Sequence, residues 1–412
     1  MSQGFSYIYA QKEHDAISMK ERIFTKDFTL VIVANFAIAV VMYGLQTTIA
    51  EYAASYGATS LLAGVVTGIY TLGGLATRLA SSGWMKKLGW RKMALVFTTL
   101  HFIACLLYFA AVNLPLLILV RFLHGLTFGA SASVMLTIGM SLVPKSRYGE
   151  GSGYLLMGPA LAMAVGPYLS GYVMDNYGGT GGFLLSSAAG LLTAVCMGLA
   201  DFSAVDPGAA SSDSDGFRPA KSLSLDHMIE PRALPVSLCI FLLVIGYSGI
   251  VSFIRAFGTE SGLNTSFIFL MYAVFLLTLR PIAGRLQDRK GDNSVIYPGI
   301  VLQALGMGLL AIKPCMLTLV AAAFGAAMGF GNLSACIQAI AVKMTPDSRR
   351  SYGVTTFWIC CDGGMGVGPM ILGAVVSAGG YRMMYLSAAL ISIAALPLYH
   401  MVWGRKQNNS AD

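Results

Sequence analysis

Charge is what this sequence has least of. Asp, Glu, Lys and Arg make up 11% of its 412 residues, against about 25% in a soluble domain. So few ionic groups cannot cover a water-facing surface, while 56% of the residues are hydrophobic and the mean hydropathy is +0.69. The solvent this composition suits is lipid. Other absences narrow the possibilities. No Gly-x-x-x-x-Gly-Lys-Ser/Thr run occurs, which removes ATP drive within the chain. No His-x-x-x-His pair, serine nucleophile motif or soluble catalytic domain is present, which sets a membrane-embedded enzyme or a receptor far behind. The ten-residue alternating segments of an outer-membrane barrel are missing. Residues 1–26 lack the short apolar centre and cleavage site of a secretory signal, so they read as a retained cytoplasmic tail. Seven cysteines fall in or beside apolar runs without metal-ligand spacing. They read as small buried apolar residues, with no metal expected.

What is there is a series of twelve apolar segments, at roughly 28–50, 61–84, 93–112, 115–143, 151–174, 182–200, 234–257, 265–279, 295–312, 316–344, 354–378 and 383–403. Each can cross a ~30 Å hydrocarbon core as a helix, the eighth only with its polar flanks. The fold class expected is an all-α membrane protein of twelve transmembrane helices. The net charge of +8 lies in short clusters between apolar runs, a pattern that excludes a nucleic-acid surface. Those clusters follow the second, fourth, eighth, tenth and twelfth segments, and the other side carries only Arg255, Lys313 and Arg382. By the positive-inside rule both termini are cytoplasmic. A polar stretch at 202–232, with Ala-Ala-Ser-Ser-Asp-Ser-Asp-Gly at 209–216, has the composition of a flexible linker. It divides the chain into a tail (1–26), a first six-helix bundle (27–201), the linker, a second bundle (233–404) and a tail (405–412).

The two bundles are repeats in one register. Arg78 matches Arg280, Gly89 matches Gly291, and Gly129 matches Gly331. Pro144-Lys-Ser-Arg147 matches Pro346-Asp-Ser-Arg349, and Gly166-Pro167 matches Gly368-Pro369. Every pair is 202 residues apart. Parallel six-helix repeats imply a transporter that rocks around a site between its halves.

The most specific local signal is Arg280-Pro-Ile-Ala-Gly284-Arg-Leu-Gln-Asp288-Arg289-Lys-Gly291, read as a tight charged turn between apolar runs. It resembles the Gly-x-Leu-x-Asp-Arg-x-Gly loop of the major facilitator superfamily. The first copy, Ser82-Gly-Trp-Met-Lys86-Lys87-Leu-Gly89, has Lys86 where the acid would stand. Arg121-Phe-Leu-His124-Gly125 is similar to that family's Arg-x-x-x-Gly motif near the proton-coupling machinery. Gly158-Pro159 with Gly166-Pro167-Tyr-Leu-Ser170-Gly171 looks like its exporter signature in the fifth span. The resemblance covers essentially the whole chain. It implies the fold of two pseudo-symmetric bundles, and secondary active transport by alternating access across the cytoplasmic (inner) membrane. The substrate implied is a small amphipathic compound or metabolite, exported by proton antiport. Import of a metabolite or organic anion by proton symport is the alternative, with Arg121 and Arg255 as carboxylate clamps. The expected energy source is the proton gradient, without a cofactor, and the expected state is monomeric. The loop motif (Gly284, Asp288, Arg289, Gly291) would act as a conformational latch, and Gly158, Gly166, Pro167 and Gly171 as a pivot between the halves.

Ionisable groups inside the spans are functional candidates because placing them there costs ~3 kcal/mol or more. Asp362 is the one acid well inside an apolar segment, and either carries a proton, meets a cationic substrate or is a hydrogen-bonded structural group. Arg121 is expected to pair with Glu51 or an anionic substrate, or else to snorkel to the headgroups. His124, one turn from Arg121, is either a titrating group or a packing residue, and His101 is read as core. Asn35, Tyr43, Gln46, Tyr247, Arg255, Asn332, Gln338 and Trp358 are the candidate cavity lining.

Overall fold

The computed structural model describes residues 23–144, 147–202, 229–265, 267–346 and 349–405. Most of the expected N-terminal tail and linker, and all but Arg405 of the C-terminal tail, lie outside the described residues. Ten helical stretches are long and apolar enough to cross a membrane. They are α1 (Lys26–Ser55), α2 (Ser60–Leu88), α3 (Trp90–Leu107, extended by a 3-10 turn Tyr108–Ala110), α4 (Leu114–Ser141), Tyr148–Leu199, α7 (Leu234–Ser261), α8 (Ile268–Lys290), α9 (Asn293–Ile312), α10 (Met316–Lys343) and a stretch from Arg350 to Gly404. Two of the ten are too long for one crossing. The Tyr148–Leu199 stretch breaks at Gly178, which divides it into α5 (148–177) and α6 (179–199). The last breaks at Gly379 and Gly380, giving α11 (350–378) and α12 (381–404). Divided there, the chain agrees with the twelve spans expected, and no strand is present among the described residues.

The internal repeat extends to backbone angles. Gly89 (φ 76°, ψ 157°) ends α2, and Gly291 (φ 82°, ψ 169°) ends α8. Gly178 (φ 68°, ψ −171°) and Gly380 (φ 73°, ψ −178°) make the two breaks. Positive φ at these four positions is strained for any residue with a Cβ, which explains why glycine recurs there. The 280–290 stretch is helix and not turn, a correction to the sequence reading. Apolar periodicity stops at the membrane edge, but α8 continues to Lys290. Arg289 and Lys290 complement the carbonyl end of its dipole.

The described chain begins and ends on one face, here the terminal face. The opposite one is the distal face. The halves meet along α2 and α11, where the backbones touch. A Cβ on Gly64 would stand 2.0 Å from the Pro369 carbonyl oxygen, and one on Gly68 would stand 1.9 Å from that of Gly366. Nearer the distal face, a Cβ on Gly373 would meet the Ser60 carbonyl at 2.4 Å, and Leu61 N–H donates to Ser377 Oγ at 3.1 Å. Small residues permit this approach where no water drives helices together.

The small-residue stripe on α5 faces its own bundle and not the other half. Gly158 lies against Ile32 and Phe36, Gly166 against Val40 and Gly44, and Ser170 Oγ is 3.3 Å from Thr48 Oγ1. The stripe is therefore an α1–α5 packing seam. Of the expected pivot glycines, Gly171 touches the second bundle, at Arg255, and α5 also places Met163 in the core of the second half.

The loop motif is also rearranged. Asp288 is exposed, and a Cβ on Gly284 would meet nothing. The acid built into the structure is Asp292, just beyond Gly291. Its side chain is buried and accepts from Gln287 Nε2 (2.7 Å), Trp403 Nε1 (2.9 Å) and Lys343 Nζ (3.2 Å). It joins α8, α9, α10 and α12 at the terminal face.

Two outcomes follow. Asp292→Ala should cost ~1–3 kcal/mol of stability in detergent unfolding, because three donors lose their acceptor, whereas Asp288→Ala should stay within ~0.5 kcal/mol. Gly68→Ala places a methyl against backbone, an overpacking cost of ~1–3 kcal/mol for the α2–α11 contact. Spin labels at positions 61 and 377 should then move apart. An unchanged distance distribution would show that the seam is not held by this contact.

Candidate functional site

Asp362 lies twelve residues into α11, ~18 Å along the helix. Across the seam, the close contact of Gly68 with Gly366 holds α2 and α11 together about three turns from Arg78 and one turn from Asp362. Arg78 NH1 thereby reaches Asp362 Oδ2 at 3.1 Å, with both side chains largely shielded (32% and 15% exposed). The Arg78 guanidinium also sits 6.0 Å from the centre of the Trp358 ring. Tyr43, from α1, packs against the core of the second half. Sequence reasoning used Arg78 only to set the repeat register. Its spacing from a polar end of α2 gave no sign that an acid from the other half would meet it.

A cavity of ≈ 10 Å³ lies beside the pair, lined by Met42, Tyr70, Thr71, Gly74, Phe128 and the pair itself. That is room for about one water. A second cavity of ≈ 190 Å³ opens near the distal ends of α1, α2 and α7, beside Glu51, Ser60, Phe253 and Tyr381. Ligand pockets generally run to about 300–1,000 Å³. In this conformation neither space holds a drug-sized molecule.

Glu51 does not meet Arg121. It pairs with Arg255 of α7 (Nε to Oε2, 2.9 Å), and Arg255 NH2 also binds Asp175 of α5. The three form a cross-half cluster near the distal face. Arg255 is therefore committed to two carboxylates of the first bundle and does not line a central cavity.

Arg121 is fully enclosed within the first bundle. Gly125 and Gly129 allow this. A Cβ on either would stand 2.0 Å from a carbonyl of α2, at Tyr70 and Gly74 respectively. With α4 pressed onto α2, the guanidinium donates to Val66 O (3.2 Å), Thr67 O (3.5 Å), Gln46 Oε1 (3.2 Å) and Tyr108 Oη (3.3 Å). It lies 4.4 Å from the Tyr70 ring centre. The arginine-to-glycine spacing thus has a structural account. Glycine opens the crossing, and backbone carbonyls satisfy the cation without a carboxylate. Neither snorkelling nor an anion clamp describes this geometry.

Both histidines are buried, in keeping with the core reading of His101. His101 does have a partner: its Nε2 is 3.5 Å from Nε2 of His124. His124 also lies 2.9 Å from Tyr108 Oη through Nδ1 and 3.5 Å from Cys105 Sγ through Nε2. His101 and Cys105 are one helical turn apart on α3, a spacing that was legible in the sequence and passed over.

The remaining lining candidates disperse. Asn35 donates to Leu155 O at 3.1 Å, bracing α1 on α5. Gln46 belongs to the Arg121 cluster. Tyr247 stacks on Phe330 at 4.6 Å inside the second bundle. Asn332 turns back onto Ala327 O at 2.9 Å, within a π-helical segment of α10, Ala327–Asn332. Gln338 is half-buried on the same helix. The polar residue sequence reasoning missed here is Gln303 of α9. Its Oε1 accepts from Phe330 N–H in the π segment (2.6 Å), and its Nε2 donates to Leu243 O (2.7 Å) and Ser392 Oγ (3.1 Å). Of the candidates, Trp358 and Tyr43 accompany the Arg78–Asp362 pair.

Comparison with known proteins agrees with this architecture. The family model described as Major Facilitator Superfamily matches residues 31–312 and 236–411. An uncharacterized MFS-type transporter of Methanocaldococcus jannaschii is 25% identical over 352 residues, covering 84% of this chain and 89% of the relative. The multi-drug resistance efflux pump PmrA of Streptococcus pneumoniae is 24% identical over 296 residues, covering 68% and 70%. Among solved structures, a bacterial homolog of the human lysosomal transporter Spinster, inward-facing and unoccupied, aligns with TM-score 0.77. It has 13% identity, over 91% of this chain and 96% of that one. The nucleoside transporter NupG aligns with TM-score 0.72 at 14% identity, over 92% and 100%. With both repeats matched by one family model and the backbone following solved transporters of that fold, this chain belongs to the Major Facilitator Superfamily and is a multi-pass membrane transporter, not an enzyme.

Proposed function

We propose that the protein exports a small amphipathic compound in exchange for protons, by alternating access, with Asp362 as the group that both ligands contest. The observation that carries this reading is the Arg78–Asp362 pair across the α2–α11 seam. A lone carboxylate at this depth must be neutralised by something, because its ionised form is costly in low dielectric. Three neutralisers are available: Arg78, a proton and a substrate cation. Arg78 belongs to the other half, so its pairing holds the bundles together, and either competitor loosens that tie. Proton and substrate then exclude one another at one site while both favour the same movement. Exchange requires that differential affinity between states.

The distal cluster of Glu51, Asp175 and Arg255 supplies the opposing closure. Breaking it would open the distal face while Asp362 is protonated from that side. The likeness to an efflux pump supports export. The bias of Lys and Arg toward the terminal face supports termini on the cytoplasmic side, a distal face open to the exterior, and residence in the cytoplasmic membrane. The chain is proposed to act as a monomer, each one holding a complete seam. No cofactor enters the cycle, and the proton gradient drives it.

Proteoliposomes with an imposed pH gradient test this reading across lipophilic cations, organic acids and sugars. Wild-type protein should move a lipophilic cation against the proton flow. Asp362→Asn should lower that pH-driven flux about 5- to 150-fold, the range that a coupling of ~1–3 kcal/mol supports. Glu51→Gln, which leaves Arg255 paired with Asp175, should lower that flux less than Asp362→Asn does. Undiminished gradient-driven flux in Asp362→Asn would remove Asp362 from the mechanism, and flux that follows the proton would replace antiport with symport.

A further inference from the structure

Between α3 and α4, away from the seam, three metal-ligand side chains converge in a space closed to solvent. His101, Cys105 and His124 are each fully buried. Their donor atoms lie within 4.8 Å of one another. His124 Nε2 is 3.5 Å from His101 Nε2 and 3.5 Å from Cys105 Sγ. For metal–nitrogen bonds of about 2.0–2.1 Å and a metal–sulfur bond of about 2.3 Å, trigonal or tetrahedral angles place such donors about 3.4–3.8 Å apart. Both separations from His124 fall in that range, and the third pair, His101 Nε2 and Cys105 Sγ, lies within 4.8 Å. His101 and Cys105 share one face of α3 at i and i+4, and α4 brings His124 over them.

The surroundings orient His124 as well, whereas His101 Nδ1 is buried with no hydrogen-bond partner among the described residues. When His124 carries its proton on Nδ1, it donates to Tyr108 Oη at 2.9 Å, leaving Nε2 bare and aimed at His101 and Cys105. Tyr108 is itself held by Arg121 NH1 at 3.3 Å. A ligating histidine whose second nitrogen is fixed by an outer partner is the usual arrangement at metal centres. Without a metal, the two facing Nε2 atoms have only one proton to share between them.

The geometry points to a three-coordinate site for a soft monovalent cation, Cu(I), held by His101 Nε2, His124 Nε2 and Cys105 Sγ. Charge decides between the soft metals. Two neutral imidazoles, one thiolate and Cu(I) sum to zero, whereas Zn(II) leaves a buried +1 beside the Arg121 guanidinium. Burying an uncompensated charge near a like charge is the costlier alternative. Thiolate and imidazole donors suit Cu(I), and no fourth His, Cys, Asp or Glu joins the group among the described residues. On binding, the Cys105 S–H bond breaks, the sulfur bonds to copper, and the proton leaves to solvent. Copper keeps its oxidation state. The bound ion would pin α3 to α4 under the Arg121 cluster, independently of the transport cycle.

The enclosed site calls for loading while the chain folds. The full-length protein is therefore expressed in copper-supplemented medium and purified under a reductant with a weak chelator. The expected result is about one copper per chain with X-ray absorption showing one sulfur and two nitrogen scatterers. Cys105→Ser and His101→Asn should each lower copper retention by about tenfold or more. Tyr108→Phe should weaken retention against a competing chelator by about 10- to 100-fold, as loss of an orienting partner does. Replacing both Cys360 and Cys361 by serine should change nothing. The absorption spectrum of the unsubstituted protein stands even if a variant fails to fold. Copper well below one per chain, zinc in its place, a spectrum lacking sulfur, or copper lost with Cys360 and Cys361 but kept in Cys105→Ser would each overturn the site.

Discussion

The contact on which this molecule depends is backbone against backbone, where α2 meets α11. Lipid offers no hydrophobic drive for helices to associate, so cohesion between the halves rests on close dispersion contact and on the few polar ties that such contact permits. Gly64 and Gly68 on one helix, and Gly366 and Gly373 on the other, remove the side chains that would hold the axes apart. Everything at the candidate site follows from that approach. Arg78 and Asp362 meet because their helices already touch about three turns away on α2, at Gly68, and about one turn away on α11, at Gly366, and the space left beside them is about one water wide.

The same economy appears within the first half. α2 is pressed from two sides. Its Gly64 and Gly68 face α11, and its Tyr70 and Gly74 carbonyls receive Gly125 and Gly129 of α4. The second contact lowers Arg121 onto backbone oxygens and the Tyr70 ring. Two arginines in neighbouring turns of the structure thus have different tasks. Arg121 is saturated by neutral acceptors and stiffens one bundle, whereas Arg78 has a single carboxylate across a movable boundary. The difference lies in the partners and not in the residue. In the second half Gln303 plays the bracing part, receiving an N–H from the π-helical segment of α10 and binding α7 and α12.

Several features were legible in the linear chain. The apolar segments, the repeat at 202 residues and the glycines at 89 and 291 appear in the structure at the positions read, because each depends on local composition or local backbone angle. Gly178 and Gly380 obey the same register. Asp362 stood out because an acid inside an apolar run is costly wherever the chain folds. The errors were about partners. Glu51 was matched with Arg121 on the strength of neighbouring spans, yet a rotation about each helix axis sends Glu51 toward Arg255. The α5 stripe was assigned to the boundary between halves, when its azimuth points to α1. His101 is core, as read, but its ligand-like neighbours, Cys105 and His124, come from one turn onward and from another helix.

By itself the sequence determined the solvent, the helices, the two-fold internal repeat and the family, since hydropathy, helix length and glycine placement act within a turn or two of the chain. Which faces of those helices meet was decided only in the tertiary structure. Nearly uniform apolar surfaces carry little amphipathic signal in a membrane, so helix rotation is set by small-residue contacts among distant segments. Those contacts placed Arg78 on Asp362, Arg255 on Glu51, and His124 over His101 and Cys105.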